Sequence, residues 1–235
     1  KISITEIHTV EESFKAGEKI ANDLKTSDLR SIIVLSDGLK VNGTELVKGL
    51  NTIGMEDVII TGGLAGDGDR FKETWVICNG KIYKNHVVAV GLYGDSVHVG
   101  FSSRGGWDIF GPERYVTRSK GNVLYELDGK PALELFKQYL GERAEGLPAT
   151  GLLFPLSIRK DENDQKHLVR TILSVDEDAQ SLTFAGDVPL NYLAQLMRSS
   201  FDRLIASAGE AAENATEKMQ KQNTGPILAV AISCV

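Results

Sequence analysis

The tract Ile59–Asp69 constrains the fold of this chain more than any other part of the sequence. A short apolar run, Ile59-Ile60-Thr61, leads directly into Gly62-Gly63-Leu64-Ala65-Gly66, and two carboxylates follow at Asp67 and Asp69. Glycine permits backbone angles that other residues resist, and it lets a ligand or a neighbouring strand approach the main chain closely. Open α/β sheets bind small molecules at such bends, at the carboxyl ends of their strands. The tract therefore predicts a strand that ends in a recognition loop.

The residues before this tract predict a β-α-β unit. Ser31–Ser36 is a continuous apolar strand of the kind that is buried on both faces. Asn42 and Glu45 mark the start of a helix, and Gly54 ends it. Val58–Thr61 then returns as a second strand. We expect the two strands to be parallel, with a right-handed crossover.

The rest of the chain predicts mainly strands. Thr74–Cys78, an Asn79-Gly80 turn and Ile82–Tyr83 predict a β-hairpin. Further strands are predicted over Val87–Tyr93, Val97–Phe101, Tyr115–Arg118, Val123–Leu127, Leu152–Ile158, His167–Val175, Leu182–Ala185 and Pro226–Cys234. Helices are predicted from Pro131 to Gly141 and over Ser200–Lys221. The expected class is mixed α/β, or α+β: a parallel β-α-β unit runs into an antiparallel meander, followed by a mixed sheet with a long C-terminal helix.

Composition excludes several classes of protein. The 235 residues carry a formal net charge of −6 at pH 7, which argues against a surface for nucleic acid. No apolar run approaches the ~20 residues that span a bilayer, so a membrane is not an expected partner. Cys78 and Cys234 lie far apart, and a reduced thiol suits each of them. A reducing compartment, the cytoplasm, is therefore expected.

The pattern of polar residues favours recognition over catalysis. The glycine tract lacks the spacing of a dinucleotide fingerprint and the Lys-Ser or Lys-Thr pair of a phosphate loop. The four histidines are scattered, and no serine lies in a Gly-x-Ser-x-Gly elbow. We expect no metal, no cofactor and no catalytic residue, although a site assembled from distant residues remains open.

Three side chains have the chemistry to bind a small molecule. Asp67 can accept hydrogen bonds from a cationic group. Trp107 follows Gly105-Gly106 and can form the apolar wall of a pocket. Arg170 alternates with apolar neighbours and can hold a carboxylate through two hydrogen bonds. A solvated turn, a core rim and an exposed strand residue are the simpler alternatives for these three, and a tight turn is the simpler alternative for the tract.

Many short motifs, taken in order, resemble the FIST family. They are Gly62-Gly63-Leu64-Ala65-Gly66-Asp67, Gly106-Trp107, Val116-Thr117, Leu127-Asp128-Gly129-Lys130-Pro131-Ala132, Tyr139-Leu140-Gly141, Pro155-Leu156, Val169-Arg170, Gly186-Asp187-Val188-Pro189, Leu196-Met197-Arg198 and Ser233-Cys234. The resemblance implies two parts. A part like FIST N covers residues 1–115, and its front is expected to be truncated. A part like FIST C covers residues 116–235, and its end is expected to be truncated.

The resemblance also implies a function. FIST proteins are intracellular sensory modules of signal transduction, and bacterial ones stand alone or beside histidine-kinase, diguanylate-cyclase or chemoreceptor outputs. The implied ligand is small, with amino acids or their derivatives as the leading class. The family offers no catalytic residues to carry over, so the expected ligand-binding residues come from side-chain chemistry at family-matching positions: Gly62, Gly63, Leu64, Ala65, Gly66, Asp67, Trp107 and Arg170.

Two other functions stay open at this point. One is a hydrolase or transferase with an unrecognised active site, which needs a nucleophile and a base within hydrogen-bond reach. The other is a scaffold without a ligand, whose meander edge pairs with an output domain or with another copy of the chain as a homodimer.

Overall fold

The computed structural model describes residues 1–217 and 228–232. Its fold is mixed α+β, as the sequence predicted, with a helix at the C-terminal end of the second unit. The strands form two main sheets, one within residues 1–93 and one within residues 107–217, which we call the first and second units. The predicted boundary between residues 115 and 116 falls inside a strand of the second sheet, and it stays a prediction.

The first unit is a four-stranded sheet with two helices on one face and a hairpin on the other. Its elements are β1 (Ile2–Glu6), α1 (Ser13–Leu24), β2 (Leu29–Ser36), α2 (Gly43–Asn51), β3 (Ile59–Leu64), β4 (Val76–Cys78), β5 (Lys81–Tyr83) and β6 (His86–Tyr93). The strand order is β1-β6-β2-β3. Strands β2 and β3 are parallel, in register from Ser31 opposite Ile59 to Ser36 opposite Leu64, which confirms the β-α-β unit.

The hairpin of β4 and β5 is also confirmed. Asn79 and Gly80 have φ angles of 50° and 75°, the positive values that a tight type I′ turn needs. Val76 and Cys78 are buried with Val88 of β6, so the hairpin lies on the sheet face opposite the helices. Strand β6 inserts between β1 and β2 and is antiparallel to both.

The two helices of the first unit cross with their backbones in contact. A Cβ atom at Gly17 would overlap the carbonyl oxygen of Leu46, and one at Gly49 would overlap that of Phe14. The helices bury Ile20 and other apolar side chains against the helix-facing side of the sheet. This close crossing places the first residues of both helices at the sheet edge where β2 and β3 end, since Asn42 N donates to Ser13 Oγ at 3.0 Å.

The second unit is a curled sheet with a helix against its inner face. Its elements are β7 (Trp107–Ile109), β8 (Arg114–Lys120), β9 (Val123–Leu127), β10 (Lys130–Pro131), α3 (Ala132–Leu140), β11 (Leu156–Arg159), β12 (Leu168–Arg170), β13 (Ile172–Asp176), β14 (Ser181–Phe184), β15 (Leu193–Ser199) and α4 (Phe201–Glu217). The order is β12-β11-β15-β8-β9-β14-β13, with β7 beside β15 and β10 beside β9.

The two ends of this strand order are neighbours in sequence. Only Thr171 separates β12 from β13, so one extended segment pairs with β11 at one end of the sheet and with β14 at the other. The sheet therefore curls around a second core, into which α3 contributes Leu133 and Phe136. The strand pairs described in this unit are antiparallel, and the mixed sheet is that of the first unit.

Three predicted strands differ from the structure. The strand predicted over Leu152–Ile158 starts only at Leu156, because residues 149–153 form a short 3-10 helix. Val97–Phe101 has alternating apolar residues but forms no strand, because alternation marks an extended segment and supplies no partner for it. Leu228–Ile232 has no regular secondary structure, and its apolar residues are exposed. The remainder of the predicted strand Pro226–Cys234, and the predicted end of the last helix at Lys221, lie outside the described residues. Within residues 1–217 and 228–232, no helix combines the length and apolarity needed to cross a membrane.

We predict that Gly17→Ala destabilises the protein, by about 1–3 kcal/mol, because the added methyl group overpacks the helix crossing. Gly209→Ala in α4 is the matched control, since a Cβ there meets no atom within 4 Å. Alanine is the better helix former by about 1 kcal/mol, so this control should be neutral or stabilising. Urea unfolding measures the change in the free energy of unfolding for both variants. Equal stability of Gly17→Ala and the native chain would contradict the close crossing.

Candidate functional site

The carboxyl ends of the parallel strands β2 and β3 form one edge of the first sheet. Strand β2 ends at Ser36 and continues into Asp37-Gly38, while β3 ends at Leu64 in the glycine tract. The two segments stay together beyond the strands, because Ala65 N donates to Ser36 O at 2.8 Å. A Cβ at Gly38 would overlap the carbonyl of Ala65, so this position requires glycine. The prediction that the strand gives way to a loop at Gly62 was therefore wrong: Gly62–Leu64 continue β3 and pair with β2. The loop begins only at Ala65, and Gly66 has open space around it.

The carboxylate of Asp67 holds the loop that follows the glycine tract. Its two oxygens accept hydrogen bonds from the backbone N–H groups of Phe71 (3.1 Å), Lys72 (2.9 Å) and Glu73 (3.2 Å), and its side chain is only 3% exposed. These hydrogen bonds, first that of Lys72, lower the pKa of Asp67 because they favour the charged form. The side chain is directed at its own loop.

The carboxylate of Asp37 holds the turn that follows β2. Sequence reasoning missed this residue. It accepts hydrogen bonds from Leu39 N (2.9 Å), Lys40 N (2.7 Å) and Thr74 Oγ1 (2.7 Å). Thr74 Oγ1 in turn accepts from Gly38 N at 2.9 Å, which ties this turn to the loop before β4. An Asp-Gly pair directly after an apolar strand was the available signal.

The two units meet at the start of α2. We call Asn42–Thr44, Lys48 and Ala185–Asp187 the interunit junction. Across it, Gly43 N donates to Ala185 O (3.0 Å), and Asp187 N donates to Thr44 Oγ1 (3.0 Å). The Asp187 carboxylate accepts from Asn42 Nδ2 at 2.6 Å and lies 3.4 Å from Lys48 Nζ.

Asn42 belongs both to the helix and to the junction. Its side-chain oxygen accepts hydrogen bonds from Thr44 N (2.9 Å) and Glu45 N (3.3 Å), which caps α2 as the sequence predicted, while its amide nitrogen reaches the second unit. Glu45 and then Asp187 raise the pKa of Lys48, because both favour its charged form. The interunit contacts of Asn42 and Asp187 had no sequence signal beyond the family motif around Asp187.

Two of the predicted binding residues flank this junction from opposite units. A Cβ atom placed at Gly43 would lie 3.5 Å from Leu64 Cδ1. A Cβ atom placed at Gly186 would lie 3.5 Å from Arg170 Cζ. Arg170 Nε donates to the carbonyl of Asp187 at 2.6 Å. The structure thus brings the end of β3 and Arg170 to one place.

Arg170 is a half-buried cation whose hydrogen bonds go to neutral acceptors. Besides the Asp187 carbonyl, its Nη1 atom donates to the carbonyl of Val169 at 3.2 Å. Desolvation lowers the pKa of its guanidinium group, although the nearby charge of Asp187 opposes this shift. Within the described residues no carboxylate lies within salt-bridge distance of Arg170, so a carboxylate ligand would add a direct ion pair.

Trp107 lies elsewhere in the second unit. It is in β7, opposite Ser199 of β15, and half-buried. The sheet order β12-β11-β15-β7 separates it from Arg170 by three strand steps, about 14 Å at ~4.8 Å a step. The structure therefore does not bring Trp107 to the interunit junction.

Ser36 is a further feature of this edge. Its hydroxyl is the one buried side-chain polar atom without a hydrogen-bond partner in the part of the chain that the structure describes, and the residue is 1% exposed. Because side chains alternate along a strand, Ser36 shares the helix-facing side of β2 with Ile32 and Val34. An unpaired buried hydroxyl costs about 1–3 kcal/mol, so this position favours a polar partner.

A second polar cluster lies on the outer side of the second sheet, the side that faces away from its core. Ser157 Oγ and His167 Nδ1 are 2.9 Å apart, and Arg159 holds Glu113 through two hydrogen bonds of 2.7 and 2.6 Å. Ser157 follows Leu156 in β11, and Leu156 faces the core, so Ser157 faces away from it. Arg159 and, more weakly, His167 lower the pKa of Glu113, which places this carboxylate within electrostatic reach of the Ser–His pair.

The second core contains a cavity of about 20 Å³, lined by Arg114 and by apolar side chains such as Leu135 and Phe136. Such a volume holds about one water molecule, so it is too small for an amino acid. Among the residues that the structure describes, no three His, Cys, Asp or Glu side chains come together as metal ligands would.

Comparison with known proteins places the chain in a family. Residues 1–130 match the FIST N domain and residues 132–235 match the FIST C domain. The chain therefore belongs to the FIST family, whose domains are sensory domains of signal-transduction proteins.

One relative is the Uncharacterized protein MJ1623 of Methanocaldococcus jannaschii, which is 33% identical to this chain over 94 residues. The aligned part covers 40% of this chain and 18% of that protein, so the chain spans less than a fifth of the relative's length. No solved structure matches the chain significantly.

We predict that Asp67→Asn lowers the free energy of unfolding at pH 7 by about 2 kcal/mol, because hydrogen bonds to a charged group are lost. The folded-state pKa of Asp67 is lowered, so its stabilisation is complete above the unfolded-state value of about 4 and disappears as the pH falls through the folded value. The difference between native and variant should therefore shrink on acidification. Asp69→Asn, in the same loop and exposed, is the control and should be as stable as the native chain at pH 7.

We predict that Asp187→Ala loosens the interunit junction, because Asn42 and Lys48 lose their common acceptor. Hydrogen–deuterium exchange should become faster across residues 42–48, at the start of α2. Asp178→Ala, an exposed turn aspartate of the second unit, should leave exchange there unchanged. Native-like protection in Asp187→Ala would show that the junction does not depend on this carboxylate.

Proposed function

We propose that this chain is the ligand-binding part of a signalling protein, and that the ligand lies at the interunit junction. The proposal rests on one observation above all: Arg170 is a half-buried cation without a carboxylate partner in the described residues, directly beside the contact between the two units. Domain interfaces are common places for small-molecule sites.

The chemistry around Arg170 favours a ligand with a carboxylate group, such as an amino acid or a derivative. The guanidinium group can hold the carboxylate through two hydrogen bonds. Gly62–Ala65 would form the opposite wall, with Leu64 as its apolar contact. Gly66 leaves the outer side of the tract open, and Asp67 shapes the loop that follows. Ser36 would offer its unpaired hydroxyl beneath this edge.

Binding at this place would be transmitted as a change between two arrangements of the units. The junction contains a few polar contacts, above all those of Asp187, and a ligand beside them can favour one arrangement over the other. Only unequal affinity for the two arrangements produces a signal. The proposed partner is a cytoplasmic output of the histidine-kinase, diguanylate-cyclase or chemoreceptor type, as in bacterial FIST proteins.

One observation favours an enzyme as the second candidate. Ser157 and His167 are within hydrogen-bond distance, and Glu113 is nearby, as a nucleophile, a base and a carboxylate would be. However, Ser157 is 3% exposed, and Arg159 already occupies both oxygens of Glu113. The pair also faces away from Arg170. We therefore prefer the sensory function, with this cluster as a structural contact between β11 and the residues before β12.

We predict that an amino acid or derivative stabilises the chain against thermal unfolding. A ligand at ~100 times its dissociation constant adds about 2.7 kcal/mol of stability. Arg170→Gln should weaken the binding of that ligand at least about tenfold, equivalent to ~1.4 kcal/mol, because the bidentate carboxylate contact is lost. Thermal-shift titration of an amino-acid panel measures both effects.

Two controls make this test specific. Arg118→Gln removes an arginine from the exposed side of β8, where it pairs with Glu126, and should leave the affinity unchanged. Amides of the active amino acids lack the carboxylate and should not bind the native chain. If no compound shifts the midpoint, or if Arg118→Gln weakens binding as much as Arg170→Gln, the proposed site is wrong.

A further inference from the structure

Helix α4 contacts its own chain through Leu204, which lies against Gly106, and through polar side chains. Ser207, the buried residue of the helix, donates to the carbonyl of Gly105 at 3.0 Å. On the next turn Glu210 lies 3.5 Å from Arg104, which precedes β7. A helix on the surface of a soluble protein normally buries its apolar side and exposes its polar side. In α4 the two largest exposed apolar side chains, Phe201 and Ile205, lie instead on a side that is turned to solvent.

One apolar side of α4 is turned to solvent. We call Phe201, Ile205, Ala208 and Ala212 the exposed stripe, because their spacing of four, three and four residues aligns them along one side of the helix. Phe201 is 86% exposed and Ile205 is 76% exposed, and both alanines are exposed as well. At 100° a residue, this stripe lies about 120° around the helix from Ser207. Apolar surface of this kind marks a contact with another molecule.

We propose that the exposed stripe pairs with the same stripe of a second copy of this chain, with the two helices antiparallel about a two-fold axis. The sizes of the side chains support this occupant. In an antiparallel pair, Phe201 of each copy faces Ala212 of the other, and Ile205 faces Ala208. Each large side chain then meets a small one, so the helices keep an even distance along the contact.

A parallel pair has poorer complementarity. It places Phe201 against Phe201 at one end and Ala212 against Ala212 at the other, which forces the helices apart where the phenylalanines meet. Closed two-fold dimers also use the same surface on both copies, as the exposed stripe requires.

The charges of α4 permit the antiparallel pair. The positions that flank the stripe bring Asp202 opposite Gly209 and Leu204 opposite Ala211, so no like charges face each other. The glutamates Glu210 and Glu213 point away from the stripe. The stripe is about 17 Å long, at 1.5 Å a residue, and is small beside a standard interface of ~800 Å² per partner. We therefore expect a reversible dimer.

The test is the mass in solution of the chain over a wide range of concentration, by sedimentation velocity. The native chain should change reversibly from monomer to dimer. Ala208→Glu should remain monomeric, because it places a charge in the middle of the apolar contact. Ala206→Glu is the matched control: it puts the same charge at an exposed position of the same helix, outside the stripe, and should dimerise like the native chain. Circular dichroism of both variants verifies that α4 is intact.

The orientation has its own test, in a chain whose Cys78 and Cys234 are replaced. Mixing the single variants Phe201→Cys and Ala212→Cys should give a heterodimer crosslinked by a short bismaleimide. Each variant alone should crosslink poorly, because the two copies of position 201, like those of position 212, lie about 17 Å apart along an antiparallel pair. Efficient crosslinking of each variant with itself alone would establish a parallel pair.

Three results would overturn the proposal. A native chain that stays monomeric would show that the stripe binds something other than a second copy. A dimer that persists in Ala208→Glu would place the contact on another surface. Loss of the dimer in Ala206→Glu as well would show that the charge acts through the helix and not through the stripe.

Discussion

Four glycines of the first unit bring backbone into direct contact with backbone. Gly17 and Gly49 let α1 and α2 cross without side chains between them, while Gly38 and Gly62 leave no room for a Cβ against Ala65 and Val34. Because the helices cross so closely, the start of α2 stands over the edge where β2 and β3 end. The contact between the units forms at that edge, and the candidate site depends on it.

The polar groups at this edge divide into those that have partners and those that do not. Asp37 and Asp67 are satisfied mainly by the N–H groups of their own loops, and Asp187 accepts hydrogen bonds across the junction. Arg170 and Ser36 are different, since the first has only carbonyl partners and the second has none in the described residues. A sensory domain needs groups of the second kind, which a ligand can satisfy, close to a contact that the ligand can alter.

The proposed ligand site and the proposed dimer surface lie in different parts of the molecule. Trp107 lies near α4, because Ser207 Oγ and Leu204 of that helix contact the preceding Gly105 and Gly106. The Gly-Trp motif thus supports the base of α4. Gly106 is explained by the close approach of this helix, since a Cβ there would overlap Leu204, whereas a Cβ at Gly105 would overlap the ring of Trp107.

The local elements could be read from short stretches of sequence. The parallel pair of β2 and β3, the Asn42 cap of α2, the Asn79-Gly80 hairpin and α3 were all predictable, because strand and helix periodicity and turn chemistry act between near neighbours in the chain. The family, too, followed from short motifs in order. Val97–Phe101 shows the limit of this reasoning. Its apolar residues alternate as in a strand, but no neighbouring strand pairs with it in the structure.

Which polar groups meet depends on contacts between distant parts of the chain. Asn42 and Asp187 are 145 residues apart in sequence, and nothing in either segment specified the other. Asp67 looked like a ligand contact, but folding directed its carboxylate into its own loop, because three unpaired N–H groups lay within reach there. The sequence places apolar residues on more than one side of α4, and only the contacts of Ser207 and Leu204 with Gly105 and Gly106 show that the exposed stripe is the side turned to solvent. Pattern fixes which side of an element is apolar, whereas long-range contacts fix what that side faces.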